Sequence, residues 1–173
     1  MGSTEILYTK EQISARVAAL AREISADYQG REPLMVGVLK GAFVFMADLV
    51  RGLSVPSRVD FVRLASYEGI QSCGEIRMTK DLELPIADQD VLIVEDIVDT
   101  ALTLVWLADT LRQRNPASLK VCAFLDKEKQ RRGLFRADYV GFTVPDHFIV
   151  GYGLDCNERF RYIPDLCILR EDV

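Results

Sequence analysis

The chain has 173 residues, of which 49% are apolar and only six are proline. That is enough for one domain with a sizeable core and excludes a disordered segment. Acids outnumber bases 26 to 21, and the basic surplus or stripe of a nucleic-acid binder is missing.

At the N-terminus, residues 1–15 are too charged for a secretory signal, and Ile6 stands where a myristoylation motif wants Ser or Thr. Thr9 and Gln12 frame a candidate capping box. Beyond it Ile13, Val17, Leu20, Ile24 and Tyr28 recur at helical spacing, and Gly30 supplies the stop. LMVGVL (34–39) reads as a buried strand, residues 41–53 as a helix packed against it, and VDFVRLAS (59–66) as a further strand. The longest apolar stretch, 33–47, is broken by Lys40. It falls short of the roughly 18 residues of a membrane span, so a cytoplasmic protein with no membrane or nucleic-acid partner is expected.

Residues 67–75, YEGIQSCGE, hold two glycines and little hydrophobic pattern. They predict a loop, and 66–77 as a whole would suit a mobile lid. VLIVED (91–96) is a second buried strand, and its helix is expected from about Thr100 to Arg114 with Leu104, Ala108 and Leu111 on one face. SLKVCAFLDK (118–127) and FIVGYG (148–153) read as strands, and DLCILRED (165–172) as a short terminal one. Continuous apolar strands alternating with amphipathic helices predict an α/β fold with a mainly parallel sheet flanked by helices. No repeat or linker divides the chain, so residues 1–173 are expected to form one domain. Cys73, Cys122, Cys156 and Cys167 make no CxxC pair, and His147 is the single histidine. Zinc is therefore not expected, and free thiols in a reducing compartment are.

The chemistry gathers after the VLIVED strand. Ligands of open parallel sheets bind beyond the carboxyl ends of the strands. Glu95 and Asp96 are expected at one such end, with Asp99 and Thr100 where the next helix begins. A helix start offers free N–H groups and a positive dipole end, which suit a phosphate, and Thr100 and Thr103 add hydroxyls. One short segment thus supplies carboxylates for a cation or for sugar hydroxyls, and an anion cradle beside them. That suits a substrate carrying ribose, phosphate and Mg²⁺. A single acid near a helix start is commonly just an N-cap, but three acids behind a four-residue apolar strand are harder to explain so. Receiver-type signalling modules also place paired acids after such a strand. There, however, the acidic strand opens the domain, whereas here ninety residues precede it.

The segment VLIVEDIVDTALT (91–103) strongly resembles the diphosphate signature of the type I phosphoribosyltransferases. LKG (39–41), SY (66–67) before a glycine-containing loop, FLDK (124–127) and FIVGYGLDCNERFR (148–161) follow the order and spacing of their hypoxanthine-guanine branch. The resemblance spans about 36–169. It implies a small hood formed by the terminal segments. It also implies purine salvage: phosphoribosyl transfer from 5-phosphoribosyl 1-diphosphate to N9 of hypoxanthine or guanine, giving IMP or GMP and pyrophosphate. By the same resemblance, Glu95 and Asp96 would hold the ribose hydroxyls and a Mg²⁺, and Asp99 would act as proton acceptor near the purine N7. The backbone of Asp99, Thr100, Ala101, Leu102 and Thr103 would cradle the 5′-phosphate. Lys40, Gly41 and Arg161 would contact pyrophosphate, and the Lys40–Gly41 bond would be a place for a non-proline cis peptide. Ser66 and Tyr67 would belong to the closing loop. Lys127 would donate to the 6-oxo oxygen, Phe148 would stack on the base, the Ile149 backbone would read its edge, and Asp155 would bind a second Mg²⁺.

Family members are usually homodimers or homotetramers. Without the resemblance, Phe148 and Ile149 would read as strand core and Lys127 as part of a solvated charged run. The pattern departs at Ala101 and Leu102, where many relatives carry Gly and then a polar or basic residue. Ala101 keeps its amide for the phosphate, and Leu102 is expected to pack on a neighbouring element or subunit. A regulator that keeps the diphosphate site but binds RNA is the rival within the fold, against which the acidic balance argues.

Overall fold

The structure is a computed structural model that describes residues 3–69, 72–127 and 135–170. Among these described residues, nine strands and three helices follow in the order β1 (Ser3–Tyr8), α1 (Lys10–Asp27), β2 (Leu34–Leu39), α2 (Phe43–Gly52), β3 (Arg58–Gly69), β4 (Ser72–Lys80), β5 (Asp90–Val98), α3 (Leu102–Arg112), β6 (Ser118–Asp126), β7 (Tyr139–Thr143), β8 (Ile149–Val150) and β9 (Leu166–Arg170). Six strands form the main sheet in the order β4-β3-β2-β5-β6-β7. All of its pairings are parallel except that of edge strand β4 with β3. A small sheet, β1-β9-β8, joins the two ends of the chain as a hood.

Local sequence explains the helices. The Thr9 hydroxyl accepts from the Gln12 amide and the Gln12 side chain accepts from the Thr9 amide, completing the capping box at α1. Ile13, Val17, Leu20, Ala21 and Ile24 form its buried stripe. This stripe packs with Phe45, Met46 and Leu49 of α2 on one face of the sheet. There the Phe124 ring stands 4.6 Å from Phe45 and 5.1 Å from Tyr152. On the other face, Leu104, Leu107, Ala108 and Leu111 of α3 cover Val36, Val91, Ile93 and Val121. Strands β2 and β5 are thus covered on both sides, as their unbroken apolar runs require.

Three expectations are corrected. The predicted loop 67–75 is for the most part an antiparallel ribbon, β3 and β4, in which Ser66 faces Ile76 and Tyr67 faces Glu75. Burial alternates along its return arm from Ile76 to Lys80, a period of two that marks a strand. The tip, 70–71, lies outside the described residues. The FIVGYG strand shrinks to Ile149–Val150 and belongs to the hood. Gly151 and Gly153 have φ of +94° and +96°, which ends extended pairing. Strand β5 continues two residues beyond Asp96, pairing Ile97 with Leu125 and Val98 with Asp126. The acidic pair therefore lies inside the strand's last turn of pleat, and Asp99 is the residue beyond its end.

Asp60 fastens the segment between the ribbon and β5. Its carboxylate accepts from the amides of Phe61 (2.7 Å), Glu83 (2.8 Å) and Leu84 (2.9 Å). Burial pushes this carboxyl up, but the amides of Leu84, Phe61 and Glu83, with nearby Lys80, outweigh it and leave its pKa lowered. A lowered folded pKa gives stability that is present above the unfolded value of about 4 and is lost as pH falls below it. Asp60→Ala would leave amides unpaired, so a loss of about 2–4 kcal/mol is expected. Urea unfolding at neutral pH checks it.

Candidate active site

The chain reverses direction between Val98 and Leu102. Ala101 adopts φ +66° and caps α3 without any side-chain acceptor. The left-handed conformation costs an alanine about 1–2 kcal/mol, which is why glycine suits this place. Unlike at α1, the N-cap residue of α3 makes no side-chain hydrogen bond to the first-turn amides. They remain available to an anion, as at other helix N-termini. Thr100 and Thr103 are exposed beside them. Leu102 is 60% exposed, so the expected packing on an element of the same chain does not occur. Its place in the first turn turns its side chain to solvent.

Next to this turn stands the acidic pair. The Asp96 amide donates to Glu95 Oε1 at 3.1 Å, and the Ile97 amide to Asp96 Oδ1 at 2.9 Å. Burial, then the charge of Asp96, pushes the Glu95 carboxyl well above the usual carboxylate range. A methyl group at Gly41 would overlap the Asp96 carboxylate, so any larger residue where the β2–α2 turn meets β5 would displace that carboxylate. A methyl at Gly153 would come within 2.6 Å of the Gly41 carbonyl oxygen. The β2–α2 turn, the acidic strand and the 151–161 segment are therefore in close contact. The non-proline cis peptide is Leu39–Lys40, not Lys40–Gly41. It falls where β2 ends, at the last residue in register with β3.

Lys127 follows directly on β6, its amide donating to the Val98 carbonyl at 2.9 Å. It is 8% exposed and so does not belong to a solvated run. Its ammonium reaches Asp99 Oδ2 and Asp146 Oδ1, both at 3.4 Å. Phe148 is 55% exposed while Ile149 is buried. An exposed ring beside a buried strand residue is not strand core. Arg161 donates to the Gly153 carbonyl at 2.7 Å and pairs with Asp155 at 2.8 Å and Glu158 at 3.4 Å. Lys40 also reaches Glu158, at 3.0 Å.

The structure thus brings Glu95, Asp96 and Gly41 together, joins Asp99 to Lys127, and joins Lys40 to Arg161 through Glu158. Asp155 makes no three-acid cluster with Glu95 and Asp96 among the described residues. Ser66 and Tyr67 lie on the ribbon, with their side chains outside the described part. Sequence reasoning missed Asp146 and Glu158. Their only signals are an acid two residues before Phe148 and an acid between Asp155 and Arg161.

An uncapped helix start beside paired acids at the carboxyl edge of a parallel sheet is an arrangement suited to a ligand carrying phosphate and hydroxyl groups. The phosphoribosyl transferase domain family matches residues 3–157. The hypoxanthine-guanine phosphoribosyltransferase of Aquifex aeolicus is 45% identical over 169 residues, covering 96% of this chain and 95% of that one. A crystal structure of a hypoxanthine-guanine phosphoribosyltransferase from Bacillus anthracis superposes with a TM-score of 0.91 at 38% identity, covering 98% of this chain and 99% of that one. The bifunctional protein TilS/HprT of Listeria innocua is 42% identical over 170 residues, but the chain spans only 26% of that relative's length. The chain belongs to the hypoxanthine-guanine phosphoribosyltransferase family of phosphoribosyl transferases.

Proposed function

We propose that the chain acts in purine salvage as a single phosphoribosyltransferase domain, joining the phosphoribosyl group of 5-phosphoribosyl 1-diphosphate to N9 of hypoxanthine or guanine and releasing pyrophosphate. The observation that carries this reading is the pair formed by Lys127 and Asp99, 3.4 Å apart, beside the uncapped start of α3. A 6-oxopurine presents an acceptor at O6 next to N7. A lysine donor and a carboxylate acceptor side by side match that edge once N7 carries a proton. The 5′-phosphate would lie on the amides of 99–103 with the hydroxyls of Thr100 and Thr103, and the ribose hydroxyls on Glu95 and Asp96.

The steps follow from these positions. Charge builds on the departing pyrophosphate, where Lys40, the Gly41 amide and Arg161 would receive it. The base is held in line by Phe148 stacking, the Ile149 backbone and Lys127. As N9 bonds to the sugar, the purine gains positive charge, and Asp99 takes the proton at N7. The ribbon carrying Ser66 and Tyr67 would close over the reactants and exclude water.

The residues fit Mg²⁺ in one respect that the structure supports. Glu95 and Asp96 are adjacent carboxylates, and burial first, then repulsion from Asp96, raises the Glu95 pKa. A hard cation taking one or two carboxylates plus substrate oxygens would relieve that repulsion. Bound there, it would neutralise diphosphate charge. Asp155 is the proposed ligand of a second ion. EDTA is expected to abolish pyrophosphate release from hypoxanthine and the diphosphate, and added Mg²⁺ to restore it. Asp155→Ala is expected to raise the Mg²⁺ concentration needed. Full turnover in EDTA would refute the metal assignment.

Two further features support coarser proposals. Ile6, Phe43, Val59 and Tyr162 are large exposed apolar residues, consistent with a homodimer or homotetramer, which sedimentation equilibrium would test. Cys122, Cys156 and Cys167 are free thiols, and no helix among the described residues is long and apolar enough to cross a membrane. A cytoplasmic location is proposed on the free thiols, which suit a reducing compartment.

A further inference from the structure

Lys40 and Arg161 come from opposite ends of the chain, yet both end on one carboxylate. Lys40 Nζ lies 3.0 Å from Glu158 Oε1, and Arg161 Nη2 lies 3.4 Å from Glu158 Oε2. The two oxygens of Glu158 thus bridge two cations, as a single phosphate group would. Its backbone is fixed for this. Asn157 and Glu158 have φ of +51° and +61°, and Cys156 and Arg159 exchange hydrogen bonds across them at 3.1 and 3.0 Å. Two consecutive left-handed residues make the tight turn in which glycine is usual at the second place. Glutamate there is unfavourable unless its side chain is used. The turn is further tied by the Glu158 amide donating to Asp155 Oδ2 at 2.8 Å. Arg161, meanwhile, keeps one donor unused, since its buried Nε has no hydrogen-bond partner among the described residues.

We propose that Glu158 sets the affinity for the pyrophosphate end of the substrate, by occupying the place of that anion on Lys40 and Arg161 until the anion displaces it. This rests on the reading of Lys40 and Arg161 as pyrophosphate contacts. The contact is suited to displacement. The Lys40 and Glu158 side chains are 47% and 64% exposed, and an exposed pair of this kind is weak. A diphosphate carries more charge and several acceptor oxygens, so it outcompetes one carboxylate on the same two cations. In its absence the carboxylate keeps both cations in position and lowers the attraction for other anions. On product release it returns, which shortens the stay of pyrophosphate.

The test is calorimetric titration of the full chain with pyrophosphate in the presence of Mg²⁺, and separately with IMP. Glu158→Gln and Glu158→Asn remove the charge at an exposed turn position, and asparagine tolerates the left-handed conformation. Both are expected to bind pyrophosphate about 3- to 10-fold more tightly, the effect of freeing a weak surface pair, with IMP affinity unchanged. In a Lys40→Ala background, pyrophosphate binding is expected to weaken and the gain from Glu158→Gln to shrink. If Lys40→Ala and Arg161→Ala weaken pyrophosphate but neither Glu158 variant tightens it, the placeholder role is wrong and the pyrophosphate site stands. If Lys40→Ala and Arg161→Ala leave pyrophosphate affinity unchanged, the site itself is misplaced and the role of Glu158 falls with it.

Discussion

Lys127→Gln is expected to lower kcat/KM for hypoxanthine by about 10- to 100-fold while leaving adenine, already a poor substrate, nearly unaffected. An ammonium offers only donors. Facing a 6-oxo oxygen it makes a charge-assisted bond worth about 1.5–3 kcal/mol. Facing a 6-amino group it meets another donor, and that bond is not made. Lys127 is 8% exposed, so water cannot repair that mismatch. Sites built around such a bond reject the wrong partner by about 10⁴–10⁵-fold. Glutamine offers both a donor and an acceptor, so the ratio between the bases should narrow, mostly through the loss on hypoxanthine. The variant also removes the cation shared by Asp99 and Asp146. Lys127→Arg, which keeps the charge, separates loss of charge from loss of fit. Steady-state kinetics with both bases read the outcome, and an unmoved ratio would show that Lys127 does not read the 6-position.

Asp99→Asn is expected to lower kcat by about 10²–10⁴-fold, the usual contribution of a positioned acid or base, with KM for the diphosphate little changed. Asparagine keeps the size of the side chain and can still accept a hydrogen bond, but it cannot take a proton. The residue lies just past β5 and outside the hydrogen-bonded start of α3, with its side chain 53% exposed, so folding should not suffer. A matching thermal midpoint with a low kcat supports the role, and a kcat near that of the parent chain refutes it.

How much of this could be read from sequence depends on the distance over which each signal acts. The capping box at Thr9 and Gln12 is local and was legible. So was β5, whose four apolar residues before Glu95 are covered on both faces. The ribbon arm β4 was not, although Ile76 and Met78 alternate with Arg77 and Thr79, because the glycines before it suggest a loop. Strand β7, YVGFT, is short and centred on Gly141, and it gains its regularity only by pairing with β6. Among the site residues, Glu95, Asp96, Asp99 and Thr100 share one segment and announce themselves. The contacts of Lys127 with Asp146 and of Lys40 with Glu158 join residues 19 and 118 positions apart. No spacing rule reaches that far. Ala101 is intermediate. Its departure from glycine is visible in the sequence, but the φ of +66° that makes the departure matter is a property of the fold.

The proposed reaction at this site transfers the phosphoribosyl group of the diphosphate to a 6-oxopurine and releases pyrophosphate. The most direct measurement is kcat/KM of the unaltered chain with the diphosphate, Mg²⁺ and each of hypoxanthine, guanine and adenine, following nucleotide and pyrophosphate together. Hypoxanthine or guanine should give one pyrophosphate per nucleotide formed, with adenine lower by a factor of about 10³ or more. Adenine used as well as hypoxanthine, or no nucleotide from any 6-oxopurine, would contradict the account.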